Sequence, residues 1–408
     1  MISLTGCNAL TTKSNITSLL SAPKLSENES DIVAAIEAYL GEDISLKYSQ
    51  SQGYSAPIQL IDIDFDSVYE AVVFYYAPNK GTNIRFALLS YGEEGWNMVF
   101  DKEGLGAEVF YFDTIVLPKI QGKQIMVGYQ PTNIDENFFV TYFTDSEKEI
   151  PDYVESCQDI ISGDMTGSGY SDIILTKTMA NGNTSLNVLN FTEDMTFKIL
   201  GVKTLKYSNI EIVQLKINCT SDGKNALYVD YSDGSSRMHT EIYSFENGRI
   251  KSEIANGIVS KSWEYEPVIS SRDMNGDGFL ETASVLSTQQ TERMQVYKFM
   301  EWADWTQQEP QRVYYGIYWA DENMFAAIPD EWQDLVYATG LENGFEIKTA
   351  ENDETLFKIT EIDAVNDVED GAYSYTAYIG TKMWHIQFSE NMNMSQIEYV
   401  YKSLLYFD

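Results

Sequence analysis

Three segments of the chain place oxygen-bearing side chains at alternate positions of a nine-residue run that leads straight into an apolar stretch. They are Asp62-Ile-Asp64-Phe-Asp66-Ser-Val-Tyr-Glu70, Asp164-Met-Thr166-Gly-Ser168-Gly-Tyr-Ser-Asp172 and Asp273-Met-Asn275-Gly-Asp277-Gly-Phe-Leu-Glu281. Alternate side chains of a tight loop converge on one point, and calcium takes about 6–8 hard oxygens at ~2.4 Å. Carboxylates ~4 Å apart repel by roughly 1–4 kcal/mol per pair, a cost that a bound cation removes. An EF-hand opens in the same way but requires a Glu at its twelfth position and flanking helices. Here that position is Ser284, and Thr282–Leu286 reads as strand, so the EF-hand is excluded.

These loops recur. Their last acids, 70, 172 and 281, alternate with two weaker copies that keep the strand and lose the ligands, Gln121-Gly122-Lys123-Gln124 and Asp222-Gly223-Lys224-Asn225. The five anchors at 70, 124, 172, 225 and 281 are separated by 54, 48, 53 and 56 residues. A period near 50 built from short strands is the pattern of propeller blades. Strands near 70–77, 84–91, 96–100 and 107–116, separated by turn residues, fill the first unit. The fold expected is mainly β: a β-propeller of about five four-stranded blades over 43–309, with a sixth, degenerate blade or pairing into units of ~105 residues left open.

The third loop resembles the calcium loop of FG-GAP/VCBS-type propellers, the repeat also found in integrin α-subunit heads. The resemblance implies Ca2+ held by loop positions 1, 3, 5 and 9 and by the carbonyl of position 7. Carried onto this chain, the ligands are Asp273, Asn275, Asp277, Glu281 and the Phe279 carbonyl. In the first loop they are Asp62, Asp64, Asp66, Glu70 and the Val68 carbonyl, with Ser67 where the family has Gly. In the middle loop they are Asp164, Thr166, Ser168, Asp172 and the Tyr170 carbonyl, two of them neutral. Such ions are structural, joining loop to strand.

The remaining sequence sets the context. Of 408 residues, 44% are apolar and 13% aromatic, enough for a sizeable core and weighted towards strands. The formal net charge is −35, and no cluster of Lys and Arg offers a phosphate site, which excludes nucleic acid as a partner. No stretch approaches ~20 apolar residues, the length of a membrane span. Leu4-Thr5-Gly6-Cys7 resembles a bacterial lipobox, which implies a lipidated Cys7, a membrane contact through that anchor alone and an extracytoplasmic location. Only six residues precede Cys7, fewer than a signal peptide needs, so the start is a remnant or the match is chance. Residues 1–26 read as this remnant and a Ser/Thr/Asn-rich tether, and 27–42 as an amphipathic helix capped by Ser26 and Glu29 with Ile32, Ala35, Ile36 and Leu40 on one face. Cys157 and Cys219 occupy unmatched repeat positions and are expected as free thiols.

From 310 to 408 the pattern changes to longer aromatic strands and a closing helix capped by Ser395 and Glu398, read as a small α+β domain with a boundary at Pro310. His239 and His385 stand in strand-like runs without metal-ligand spacing, and no nucleophile or phosphate loop is found. Trp302, Trp305 and Trp319, with Asp304, Tyr314 and Tyr315, are candidates for stacking on sugar rings or for interface packing. Three functions fit: a monomeric, non-catalytic surface module binding a glycan or protein, a glycan-active enzyme using two carboxylates, or an accessory subunit of an envelope complex.

Overall fold

The computed structural model describes residues 27–51, 56–132, 134, 136–144, 150–234, 237–254, 257, 259–261, 269–306, 309–363 and 373–407. Cys7 and the tether lie outside them, as does Ser26. The chain divides into two compact units, 1–112 with 129–132, and 113–128 with 133–408. Among the described residues no helix is long and apolar enough to cross a membrane.

The protein is mainly β, and its strands form successive antiparallel sheets in chain order. In the first, β1 (Ser45–Leu46) and β2 (Ile58–Ile61) both pair with β3 (Glu70–Tyr76), followed by β4 (Arg85–Gly92) and β5 (Gly95–Glu103). The second runs β6 (Glu108–Val116), β7 (Lys123–Gln130), β8 (Asn137–Tyr142), β9 (Tyr153–Cys157). The third runs β10 (Ile160–Gly163), β11 (Asp172–Thr178), β12 (Asn183–Phe191), β13 (Phe197–Ser208). The fourth runs β14 (Glu211–Cys219), β15 (Asn225–Ser232), β16 (Met238–Glu246), β17 (Arg249–Ser252), and β18 (Val259–Lys261) also pairs with β16.

The fifth sheet is β19 (Thr282–Gln290), β20 (Val296–Thr306), β21 (Glu309–Trp319), β22 (Met324–Ala327), closed by β28 (Leu405–Tyr406). The sixth joins β23 (Val336–Leu341), β24 (Gly344–Thr349), β25 (Thr355–Glu361), β27 (Lys382–Phe388) and β26 (Ser374–Ile379).

The strands expected at 70–77, 84–91, 96–100 and 107–116 exist as β3 to β6, but they do not form one sheet. The acidic loop is itself a hairpin: Ile61 pairs with Glu70, Gly163 with Asp172 and Arg272 with Glu281. The first four sheets therefore begin before their anchor strands, the fifth is preceded by the Arg272–Glu281 bridge alone, and β6 belongs to the second sheet. Two of the anchor strands are buried on both faces, at Glu70–Tyr75 and Asp172–Thr176, which explains their apolar runs where a half-exposed strand would alternate, whereas β19 is buried only at its first residues.

In the first unit, helix α1 (Glu27–Leu40) sets Ile32 and Ile36 on Ala71, Val73 and Tyr75 of β3 and Ala87 and Leu89 of β4, the face the sequence predicted. In the second unit neighbouring sheets share cores. Ile174, Leu186 and Val188 of the third meet Leu227, Val229 and Tyr231 of the fourth. Tyr315, Ile317 and Trp319 of the fifth meet Phe345, Ile347, Phe357 and Trp384 of the sixth.

The boundary placed at Pro310 falls at the start of β21, where Glu309 and Pro310 pair with Thr306 and Trp305 of β20. The change in composition there marks a change of core, since β21 is exposed at its first residues and buried at its last five. Residues 310–408 thus complete the fifth sheet as well as building the sixth. The closing helix α2 (Met394–Lys402) begins earlier than predicted. Asn393 caps it, accepting from the Gln396 backbone at 3.0 Å while the Gln396 side chain accepts from the Asn393 backbone, and Ile397 and Val400 enter the core.

Candidate metal centres

The three acidic hairpins share one hydrogen-bond plan. The carboxylate at position 1 accepts from the backbone N–H of position 6: Ser67 to Asp62 at 3.2 Å, Gly169 to Asp164 at 2.8 Å, Gly278 to Asp273 at 2.8 Å. The side-chain oxygen at position 5 accepts from position 7: Val68 to Asp66 at 2.7 Å, Tyr170 to Ser168 at 3.3 Å, Phe279 to Asp277 at 2.9 Å. Position 2 is the buried anchor of the loop, Ile63, Met165 or Met274. Positions 4 and 6 are left-handed in all three, with φ of 66° and 71° at Phe65 and Ser67, 73° and 80° at Gly167 and Gly169, and 80° and 90° at Gly276 and Gly278. The first loop adopts the turn without glycine, which costs about 1–2 kcal/mol per L-residue.

Position 9 carries the charge inward. Glu70, Asp172 and Glu281 are all buried, Glu281 at 0% exposure. One Glu281 oxygen, Oε2, accepts from Met274 N–H at 2.7 Å, while Oε1 is buried without a hydrogen-bond partner. Glu70 Oε2 accepts from Ile63 N–H at 2.8 Å, and in that loop the buried Asp62 Oδ1 lacks a partner. The shorter Asp172 reaches Thr166 N–H instead, at 2.8 Å, and its second oxygen accepts from Asn190 Nδ2 at 2.8 Å, a donor from β12 that sequence reasoning missed. The Thr166 hydroxyl also faces Asp172 and works against the effect of burial on it.

Burial pushes Glu281 up to about 7, with Asp277 and Asp273 adding repulsion against the Met274 hydrogen bond. Burial likewise raises Glu70, reinforced by Asp64 and Asp66, and raises Asp172. Asp62, Asp64 and Glu70 bring one carboxylate oxygen each within 4.8 Å of one another, the single such grouping among the described residues. At that spacing each pair repels by roughly 1–3 kcal/mol.

The two weak copies show what the position needs when no cation serves it. Gln124 stands at the anchor as a buried amide, its Nε2 donating to the Gln121 carbonyl at 3.0 Å and its Oε1 accepting from Thr144 N–H at 2.7 Å. Asn225 Nδ2 donates to the Asp164 carbonyl at 2.5 Å. An amide supplies its own positive end internally. The carboxylate loops do not, and unpartnered buried carboxylate oxygens, which are hard donors, fit a hard divalent ion. The fit is best at the first and third loops and weakest at the second, where donors already cover both Asp172 oxygens.

Of the aromatic residues considered for sugar stacking, Trp302, Trp319 and Tyr315 are core. Trp302 and Trp319 are buried, Trp302 against Phe325 and Phe407, Trp319 against Phe345 and Trp384. Trp305 packs part-buried over Leu280 and Ile254 and donates to Thr282 Oγ1 at 2.8 Å. Their rings pack against other core side chains, the packing alternative. His239 is buried, stacked on Tyr207 at 4.3 Å with Asp233 3.0 Å from Nε2, and Cys157 and Cys219 are free thiols.

Fold and loops together define a mainly β protein of consecutive four- and five-stranded antiparallel sheets with acidic hairpins at the heads of three of them. No family model matches the chain, and no curated protein matches it. Among solved structures it is similar to one titled "AfRom2 CNH domain", at 11% identity over 86% of this chain and 100% of that one, with a TM-score of 0.27, too low to bear on fold or function.

Proposed function

We propose that the chain is a calcium-stabilised β-propeller that serves as a non-catalytic binding or scaffold module on the outside of a cell, tethered through a lipid on Cys7. The observation that carries the calcium reading is the unpartnered buried carboxylate oxygen in the first and third hairpins, beside acids already crowded to 4.8 Å in the first. Support for the propeller comes from the ~50-residue rhythm of antiparallel meanders and, within the second unit, from cores shared by neighbouring sheets. The role of the ion is to hold each hairpin to its buried strand: Asp62, Asp64, Asp66 and Glu70 in the first, Asp273, Asn275, Asp277 and Glu281 in the third, and the mixed set Asp164, Thr166, Ser168 and Asp172 in the second. A ligand set with neutral members suits the weak calcium affinities of extracellular modules, about 10⁻⁴–10⁻³ M. Location outside the cytoplasm rests on Leu4-Thr5-Gly6-Cys7.

Isothermal titration with calcium and with magnesium tests this. Two to three calcium equivalents are expected, one of them lost in Glu281→Gln, with magnesium binding more weakly because it demands a tighter octahedral shell. Absence of calcium binding in the millimolar range overturns the reading.

A further inference from the structure

Within the first unit, Asn28, Leu60, Val68, Tyr69, Tyr91 and Trp96 line an open cavity of about 400 Å³. Tyr69 and Tyr91 are each 57% exposed, and Leu60 and Val68 are exposed beside them, an apolar concentration that solvent-facing surfaces avoid unless something docks there. The rings are held in place. Tyr91 and Trp96 are paired across β4 and β5 and so share one face of the sheet. Their centroids lie 5.2 Å apart with planes at 65°, making an aromatic corner. Trp96 is fixed from behind by the α1 core and by its Nε1–H donating to Asn28 Oδ1 at 3.1 Å. Tyr69, from the first acidic hairpin, completes the aromatic lining.

Charge selects the occupant. The segments that supply the lining, 28–31, 60–70 and 91–96, hold eight carboxylates, Glu29, Asp31, Asp62, Asp64, Asp66, Glu70, Glu93 and Glu94, and no Lys, Arg or His. A divalent ion in the hairpin leaves that field strongly negative. The surface of the lining is mostly apolar, with few polar groups to meet the many hydroxyls of a sugar. An anion is repelled. What matches tyrosine and tryptophan faces in a negative field is a cation with an apolar skin, attracted to the ring quadrupoles within about 6 Å.

We propose that this cavity is a binding site for an organic cation of the quaternary-ammonium class, with Tyr69, Tyr91 and Trp96 as its walls. The proposal does not depend on the calcium reading, although Val68 and Tyr69 belong to the first hairpin.

Titration calorimetry with choline and with its neutral carbon isostere, 3,3-dimethylbutan-1-ol, in excess calcium and again in EDTA, tests it. Saturable choline binding in at least one condition is expected, with the isostere at least about tenfold weaker. Tyr91→Leu keeps an apolar wall and removes the ring, and it is expected to weaken choline by about 2- to 30-fold, whereas Tyr91→Phe retains it. Equal binding of choline and the isostere, equal affinity in Tyr91→Leu, or no binding in either condition overturns the proposal, as does preferential binding of N-acetylglucosamine.

Discussion

Replacing Glu281 by Gln separates the two ways in which the third hairpin can neutralise its buried charge. Without metal, burial lifts the Glu281 carboxyl from 4.5 to about 7. A folded-state pKa above the unfolded one means that the native protein holds the proton more tightly. That contribution is fully present below about pH 4.5 and is lost as the pH rises to about 7. At ~1.36 kcal/mol per unit, the loss is about 3 kcal/mol by pH 8. With an unfolding entropy of ~2.1 cal/mol/K per residue over some 300–400 residues, this is a fall in Tm of about 4–5 °C.

Calcium at a hundred times its Kd returns about 2.7 kcal/mol, nearly the whole loss. The assay is differential scanning calorimetry of wild type and Glu281→Gln from pH 5 to 8, in EDTA and in calcium. The amide leaves a pH-independent offset of its own, so the informative quantity is the change in the difference between the two proteins. In EDTA the difference should shift against wild type by about 4–5 °C as pH rises, and calcium at pH 8 should largely restore it. Parallel pH profiles for the two proteins, or an equal calcium response in both, refute the reasoning.

Other outcomes follow from the same structure. Ser67→Gly should stabilise the first unit by about 0.5–1 kcal/mol in urea denaturation, since Ser67 sits at φ 71° where the other hairpins have glycine. Ile36→Ala should cost about 2–4 kcal/mol, because Ile36 is fully buried between α1 and the first sheet. The Cys157 thiol, pushed up to about 12 chiefly by burial, should resist iodoacetamide at pH 8 in the native protein and react only on unfolding, as mass spectrometry of the labelled peptide will show. Trp302→Ala should destabilise by about 3–5 kcal/mol, with glycan binding no part of its phenotype.

What the sequence by itself determined is the local chemistry. Alternating oxygens over nine residues make a tight turn, and the hydrogen bonds within each hairpin link neighbours no more than nine residues apart. The same locality made the anchor strands legible, because a strand buried on both faces must be continuously apolar, and it exposed the buried face of α1 through its helical spacing.

Tertiary structure alone decided how strands were shared among sheets. Strand β6 looks like the end of the first repeat, yet it hydrogen-bonds to β7, a choice made by long-range pairing that periodicity does not encode. The aromatic strand after Pro310 suggested a new domain, but backbone pairing with β20 keeps it in the fifth sheet. Burial, likewise a property of the assembled sheets, turned Trp302 and Trp319 into core, left Glu281 Oε1 without a partner, and gathered Tyr69, Tyr91 and Trp96 from distant segments around one cavity.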